Sequence, residues 1–397
     1  MSENTKDEGV LNVGIVGHID HGKTSLLQKL SGKWTGTHSE ELKRGITIKL
    51  GYAEAVIYND AGRYNIEGKG KKLREISFVD APGHEMLMAT MLSGAALIDV
   101  ALLVVAANEG IKPQTREHVM ALQAKGIKNL IVIQNKIDLV DEKGAQKNYD
   151  DIKVFLKGKY DDVLVIPVSA QQGVNIDLIW KALVEIPMPK RDKIGEPIFL
   201  VARSFDVNKP GTMPHELMGA VIGGTLKKGV LKVGDEIEIK PGRIVKEANK
   251  YHYETIVTRI KGLYRGSHWV SELTPGGSTS IETELDMILG KADALAGNIV
   301  SLKGKLPESV NRVKLEYKLF PEVFGVNEKI KVEPIKSTEL LLLSVNTSPT
   351  GGSVISVSGD KMEISLKMPL IAFQGDNVGI ARNIQGHWRL IGYGKIV

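Results

Sequence analysis

Short runs of consecutive apolar residues alternate with helical patterns over the first half of the chain. The runs are rich in Val and Ile, which is typical of strands buried on both faces. They are Leu11–Gly17, Ile76–Val79, Val100–Ala107, Leu130–Gln134 and Val163–Val168. The helical patterns between them are Thr24–Leu30, Glu85–Leu97, Gln114–Lys125, Ala145–Leu156 and Ile176–Val184. This order predicts an α/β domain on a mostly parallel, doubly wound sheet.

The pattern changes after Pro187. Apolar and polar residues then alternate, as at Val313 and Leu315, which is the period of half-buried antiparallel strands. A proline-rich, charged stretch marks the change, and a weaker division falls near Pro307. We therefore predict an α/β domain over residues 1–196 and two antiparallel β-barrels over residues 197–307 and 308–397.

Composition narrows the classes of protein that fit. The 397 residues, 42% of them apolar and 25% charged, are typical of a multidomain globular chain. Cysteine is absent, which excludes a disulfide framework, a thiolate nucleophile and a Cys-ligated zinc site. The net charge of +5 fits a nucleic-acid partner without establishing one. Because the sequence has neither a membrane-length apolar run nor a secretory signal, we expect a cytoplasmic protein with no membrane association.

A phosphate-binding motif follows the first predicted strand. The sequence GHIDHGKT, residues 17–24, matches G-x-x-x-x-G-K-[ST] and leads directly into a helix. Loop N–H groups and the helix N-terminus favour phosphates. Lys23 would reach the β- and γ-phosphates, and the Thr24 hydroxyl would bind Mg²⁺. The other predicted nucleotide contacts of this segment are Asp20, His21, Gly22 and Ser25.

A second motif, DAPGH at residues 80–84, follows the strand Ile76–Val79. An acid at the tip of a neighbouring buried strand is the usual second holder of a nucleotide-bound Mg²⁺, which is the role predicted for Asp80. Gly83 can offer its N–H to the γ-phosphate. His84 comes next and is our candidate to position the attacking water.

A third motif indicates which base is bound. Asn135, Lys136 and Asp138 belong to the sequence NKID after the strand Leu130–Gln134. The Asp138 carboxylate can accept two hydrogen bonds from guanine, whereas adenine would leave this acid unpaired. A fourth motif follows the next strand, where a backbone N–H would contact guanine O6. It consists of Ser169, Ala170 and Gln171. Because all four motifs lie at the carboxyl ends of strands, the sequence predicts a GTP site there.

These four motifs, together with RGITI at residues 44–48, resemble the translational GTPases, in which a GTPase domain precedes two β-barrels. Longer segments resemble the gamma-subunit family of archaeal and eukaryotic initiation factor 2. They are residues 39–53, 84–96, 203–212 and 382–394.

The resemblance implies a function. It implies a GTPase that carries methionylated initiator tRNA to the small ribosomal subunit and releases it after hydrolysing GTP to GDP and phosphate. The family assembles as a heterotrimer with alpha and beta subunits. Residues 39–48 and 80–92 would be the two switch segments. The tRNA acceptor end would contact residues 203–212 and 219–224 (GAVIGG), although these segments could equally be ordinary turns of the barrel.

The resemblance also assigns metal ligands. It implies that Thr47 completes the Mg²⁺ shell only when the γ-phosphate is present. It further implies that Asp20 and the Gly45 carbonyl hold a second Mg²⁺. No zinc is expected, because the family's frequent four-cysteine knuckle is replaced here by residues 59–72, which lack cysteine.

Two basic clusters have open interpretations. One lies at the replaced knuckle and would either touch RNA or form a solvated hairpin tip; it comprises Lys69, Lys71, Lys72 and Arg74. The other is near the C-terminus and would either stack on RNA or pack into the core; it comprises His387, Trp388 and Arg389.

Three other functions compete with initiation. An elongation factor or selenocysteine-specific factor would bind a different aminoacyl-tRNA. The GTPase subunit of a sulfate-activating enzyme would need no RNA. A GTP-binding scaffold would hydrolyse nothing, although intact Lys23, Thr24 and Asp80 argue against it.

Overall fold

The computed structural model describes residues 9–33, 50–81, 88–209, 211–213, 216–247, 250–326 and 330–397. The chain packs into two compact units. The first contains residues 1–189, 319–333 and 381–392, and the second contains residues 190–318, 334–380 and 393–397. Within the described ranges, every helix is too short or too polar to cross a membrane.

A seven-stranded sheet forms the centre of the first unit. Its strands are β1 Val10–Gly17, β2 Gly51–Asp60, β3 Arg63–Asn65, β4 Lys71–Asp80, β5 Val100–Ala106, β6 Asn129–Asn135 and β7 Leu164–Pro167. Their order in the sheet is β3-β2-β4-β1-β5-β6-β7, and the five strands from β4 to β7 pair in parallel. The predicted mostly parallel α/β domain is confirmed.

Helices cover this sheet because its central strands are apolar on successive residues. Every residue of β1 and β5 is buried, as expected when both faces of a strand are packed. The described helices are α1 Lys23–Ser31, α2 Met88–Ala95, α3 Pro113–Ala124, α4 Glu142–Leu156 and α5 Ile176–Glu185.

Residues 59–72, which stand where the family often has a four-cysteine knuckle, lie in the hairpin formed by β2, β3 and β4 at one edge of the sheet. Tyr64 and Ile66 pack against the core. Lys69 and Lys72 are exposed and pair with glutamates of the same hairpin. Arg74 instead donates to the carbonyl oxygens of Leu183 and Ile186, so it fixes the hairpin to the end of α5. The segment is therefore a hairpin with exposed lysines, and whether these lysines contact RNA stays a prediction.

The main strands of the first barrel are β8 Ile198–Phe205, β9 Val221–Lys228, β11 Glu236–Glu247, β12 Lys250–Arg265, β15 Thr279–Thr283 and β16 Ile299–Leu302. They lie in the order β11-β16-β8-β9-β15-β12, and the barrel closes where β11 pairs with β12. Three short strands accompany them, β10 Leu231–Lys232, β13 His268–Val270 and β14 Glu272–Leu273. A short 3-10 segment, Met287–Asp293, follows β15.

The strands of the second barrel are β17 Val310–Leu319, β18 Leu340–Val345, β19 Ser348–Ser358, β20 Lys361–Leu370, β21 Asn377–Ile384 and β22 His387–Ile396. This barrel is also closed, in the order β17-β20-β19-β18-β21-β22. Val313 and Leu315 are buried, as the period of two predicts. The fold prediction of two antiparallel barrels is confirmed, whereas the domain boundaries at residues 196 and 307 stay predictions.

Candidate nucleotide site

Residues 17–24 form a tight turn between β1 and α1. Gly17 and Gly22 have φ values of 139° and 89°, which disfavour residues with a side chain. A Cβ on Gly22 would overlap Nδ2 of Asn135. Since α1 begins at Lys23, its first-turn N–H groups lie at this loop. Ser25 is exposed on the same turn.

Lys23 is a buried cation within the loop. Its side chain is 6% exposed, and Nζ donates a hydrogen bond of 2.8 Å to the His18 carbonyl oxygen. Burial lowers the pKa of Lys23 to about 8, although the charges of Asp80 and Asp20 act in the opposite direction. An arriving phosphate would supply the negative charge that stabilises the ammonium.

Two predicted Mg²⁺ ligands lie side by side. Asp80 ends β4 and is fully buried, and its pairing with Ile15 brings it next to the end of β1. The Thr24 hydroxyl donates to Asp80 Oδ2 at 3.3 Å. Mg²⁺ prefers hard oxygen ligands, usually one or two from the protein together with phosphates. These two side chains therefore fit a nucleotide-bound magnesium ion.

Asn135 connects three loops of the site. Its Nδ2 donates to the His21 carbonyl oxygen at 2.9 Å, and its Oδ1 accepts from the Ala170 N–H at 3.0 Å. The backbone N–H of Ile137 also donates to the Val168 carbonyl oxygen at 3.3 Å. The phosphate loop and the two predicted base loops are thus joined through one buried amide.

The remaining base-loop residues lie at the same sheet edge. Lys136 adopts a left-handed conformation, and Asp138 is exposed in the short 3-10 turn Ile137–Leu139. Ser169 is buried, and its Oγ accepts from the Gln172 N–H at 3.2 Å. Gln171 is exposed. This arrangement leaves the Asp138 carboxylate accessible to a ligand.

Histidines pack within and against the phosphate loop. His21 is fully buried, its Nδ1 lies 3.3 Å from the Val104 carbonyl oxygen, and its ring meets that of His18 edge to face. Burial lowers the pKa of His21 to about 4. His118 on α3 accepts a 2.8 Å hydrogen bond from the Gly17 N–H through Nδ1, and burial lowers its pKa to about 3. Both rings are therefore neutral at pH 7.

Sequence reasoning missed His118. A lone histidine within a helical pattern carries no local signal, and its contact with Gly17 spans 101 positions of the chain.

Four predicted site residues lie outside the described part of the chain. They are Gly45, Thr47, Gly83 and His84.

Two arginines considered for RNA contacts are engaged within the protein. Arg389 is buried, and its Nη1 lies 3.5 Å from Oε2 of the buried Glu117. This supports packing, one of the two interpretations of the C-terminal cluster. Arg203 donates through Nε to Asp293 at 3.1 Å, and the same carboxylate oxygen accepts from the Ser204 N–H.

A predicted phosphate loop, a buried strand-end acid and a predicted base-binding loop, on a sheet followed by two closed barrels, are the features of a GTP-binding translation factor. Residues 8–189 match the family model described as the elongation factor Tu GTP binding domain. Residues 311–396 match the model described as initiation factor eIF2 gamma, C terminal.

Full-length relatives identify the family. The chain is 50% identical to translation initiation factor 2 subunit gamma of Methanococcus vannielii, covering 98% of this chain and 99% of the relative. It is also 50% identical to the protein of the same name from Pyrococcus horikoshii, with both chains fully covered. The chain belongs to the translation initiation factor 2 subunit gamma family, and it is a GTP-dependent initiation factor.

Solved structures agree with the fold. A bacterial selenocysteine-specific elongation factor superposes with a TM-score of 0.76 at 22% identity, covering 97% of this chain and 58% of that longer chain. The elongation factor SelB from Methanococcus maripaludis, bound to a GTP analogue, gives a TM-score of 0.73 at 23% identity, covering 97% of this chain and 78% of the other. At such identities the likeness concerns the fold alone.

Proposed function

We propose that this chain carries methionylated initiator tRNA to the small ribosomal subunit in the cytoplasm while GTP is bound, and releases it after hydrolysis. Similarity over the whole chain to initiation factor 2 gamma subunits supports this role. The structural observation that best supports GTP binding is the Asn135 side chain. It joins the phosphate loop to both predicted base loops, which supports binding of the base and the phosphates in one site.

Within this site we assign the base contacts to the loops after β6 and β7. Asp138 would accept hydrogen bonds from guanine N1–H and the 2-amino group, and the Lys136 stem would lie across the ring. The backbone of the segment Ser169, Ala170 and Gln171 would contact O6. The exposed position of Asp138 supports its assignment.

We assign the phosphate contacts to the loop between β1 and α1. Lys23 would bind the β- and γ-phosphates, with N–H groups of residues 20–25 around them. Thr24 and Asp80 would hold Mg²⁺, which neutralises charge on the phosphate oxygens when bound. We propose that Thr47 joins this shell in the GTP state and that Asp20 and the Gly45 carbonyl hold a second Mg²⁺.

Hydrolysis depends on positioning the attacking water. We propose that Gly83 contacts the γ-phosphate and that His84 orients the water. His84→Ala should leave nucleotide affinity within about threefold of wild type and slow ribosome-stimulated hydrolysis by about a hundredfold. Single-turnover release of phosphate measures this rate. An unchanged stimulated rate would remove His84 from the mechanism.

For RNA recognition we retain residues 203–212 and 219–224 of the first barrel as the acceptor-end segment. Alpha and beta subunits are the proposed protein partners. Because the Arg203 Nε already bonds Asp293, we assign this arginine to holding the segment in place rather than to contacting phosphate.

The decisive experiment is binding of methionylated initiator tRNA with a GTP analogue or with GDP, in the presence of the alpha subunit. Methionylated elongator tRNA is the control, since it carries the same amino acid. We expect strong preference for initiator tRNA in the GTP state.

Other outcomes point to the competing functions. Equal binding of both tRNAs would indicate an elongation-type carrier. The absence of binding in either state would favour the metabolic or scaffold function.

A further inference from the structure

The Lys136 side chain contacts the loop that follows β5, which carries none of the four nucleotide motifs. The residue has φ 62° and ψ 36°, an uncommon conformation for a residue with a side chain. Its Nζ lies 3.4 Å from Oε1 of Glu109, which follows β5. Lys136 follows β6, so this contact bridges the carboxyl ends of two adjacent strands.

The backbone fixes Glu109 in this place. The N–H groups of Glu109 and Gly110 both donate to the Ala106 carbonyl oxygen, at 3.2 and 2.9 Å, and form a tight turn at the end of β5. The Ala107 N–H donates to the Asn135 carbonyl oxygen at 2.7 Å, directly before Lys136. The turn that carries Glu109 is therefore tied to the strand that carries Lys136.

Two further basic groups face the Glu109 carboxylate. Lys112 Nζ and His21 Nε2 lie 3.8 and 3.9 Å from Oε2. His21 is not a cation at neutral pH, because burial lowers its pKa to about 4. Its Nδ1–H faces the Val104 carbonyl oxygen, so Nε2 presents a lone pair toward Glu109. Attraction at this carboxylate therefore comes from the two lysines, and the shorter contact is to Lys136.

We propose that Glu109 is a positioning residue for guanine nucleotides, which holds the Lys136 ammonium so that the lysine stem is fixed across the face of the base. The inference rests on the proposed contact between Lys136 and guanine. A free lysine would lose rotamer freedom each time a nucleotide bound, whereas an anchored lysine has lost it already. The anchor should therefore slow nucleotide dissociation.

The test compares wild type with Glu109→Gln, Lys136→Met and the double variant. Glutamine keeps the shape of glutamate and removes its charge, and methionine keeps an apolar stem without the ammonium. The rate of fluorescent GDP dissociation should rise about fivefold in Glu109→Gln, the scale of a partly exposed ion pair. Adding Glu109→Gln to Lys136→Met should change nothing further, because the glutamate acts through the lysine.

Inorganic pyrophosphate distinguishes positioning of the base contact from damage to the phosphate loop. Its affinity, measured by competition, should be the same in wild type and Glu109→Gln, because the lysine stem does not touch phosphate. Glu185→Gln is the matched control, since it removes an exposed lysine–glutamate pair on α5. It should leave GDP dissociation unchanged.

Three results would overturn the proposal for Glu109. The first is a wild-type dissociation rate in Glu109→Gln. The second is an undiminished effect of Glu109→Gln in the Lys136→Met background, because the glutamate would then not act through the lysine. The third is a matching loss of pyrophosphate affinity in Glu109→Gln, which would assign Glu109 to the phosphate loop. A wild-type rate in Lys136→Met would instead refute the lysine–guanine contact itself, and the positioning role with it.

Discussion

The phosphate loop and the first barrel need glycine for different structural reasons. Gly17 and Gly22 adopt positive φ, and a Cβ on Gly22 would overlap the Asn135 amide that joins the site loops. Gly219 and Gly224 have no such backbone requirement. A Cβ on either would overlap a carbonyl oxygen of a neighbouring segment, that of Thr283 or of Leu200.

The difference shows what a glycine-rich segment establishes by itself. In the loop, glycine permits a conformation and a side-chain contact that build a ligand site. In the barrel, Gly219 and Gly224 permit close approach of neighbouring backbone segments, which agrees with an ordinary structural role for GAVIGG in the barrel. A Cβ on Gly223 would lie at an ordinary 3.5 Å from the Phe205 ring, so this position alone of the three would accept a Cβ without overlap.

The largest expected effect comes from Gly22→Ala. The substitution forces alanine into a φ of 89° and displaces the Asn135 amide, so GDP affinity should fall by about several hundredfold. Equilibrium titration with fluorescent GDP measures the loss, and thermal unfolding checks that the chain remains folded. Retention of wild-type affinity would show that the loop relaxes freely around the added methyl group.

The barrel counterpart, Gly224→Ala, is the control for this contrast. It should lower the thermal midpoint of the barrel while GDP affinity stays at the wild-type value, because its Cβ would meet only barrel backbone and the Phe199 ring. A loss of GDP affinity here would erase the distinction between the two glycine sets.

A second prediction concerns the base. Asp138→Asn places a donor opposite the guanine 2-amino group, so GTP affinity should fall by about a hundredfold and XTP should become the preferred nucleotide. Competition between GTP and XTP for one fluorescent nucleotide measures the ratio. An unchanged preference for GTP would refute the assignment of Asp138 to guanine recognition.

Sequence was sufficient where the determinants are local. Three features can each be recognised within a few positions of the sequence. They are the consecutive apolar residues of β1 and β5, the glycines at a strand-to-helix turn and the acid that ends β4. The parallel sheet follows from the alternation of elements, and both barrels from the period of two. The edge strands β2 and β3 escaped prediction for different reasons. β2 is buried on one face only, at Ala53, Ala55 and Ile57, so it lacks the run of consecutive buried apolar residues that marks the central strands. β3 has only three residues, too few to show a period.

Contacts between distant segments were beyond sequence reasoning. Glu109 and His118 lie next to the site only because β5 pairs with both β1 and β6. The burial of Arg389 beside Glu117 likewise depends on packing between segments from opposite ends of the chain, which no local pattern encodes.

A third prediction uses the lowered pKa of Lys23. Because burial brings it to about 8 in the free protein, and bound phosphates favour the ammonium, nucleotide binding should take up a proton near that pH. GDP affinity should then fall by up to about tenfold per pH unit above 8. Calorimetry in buffers of different ionisation enthalpy measures the proton directly. Lys23→Arg, which stays charged, should show no such uptake.

A fourth prediction tests His118, which packs against the loop. The unfolded chain binds protons below the usual histidine pKa of 6.5, whereas His118 in the folded chain does so only near pH 3. Stability should therefore be fully present above pH 6.5 and fall as the pH drops toward 3. His118→Gln keeps an acceptor for the Gly17 N–H and should reduce this dependence by about 1.4 kcal/mol per pH unit. Thermal unfolding of nucleotide-free protein between pH 4.5 and 7 measures the slope, with exposed His268→Gln as the control. Equal slopes in wild type and His118→Gln would mean that the folded loop accepts a charged imidazole, and that Gly17 is not held by a neutral ring.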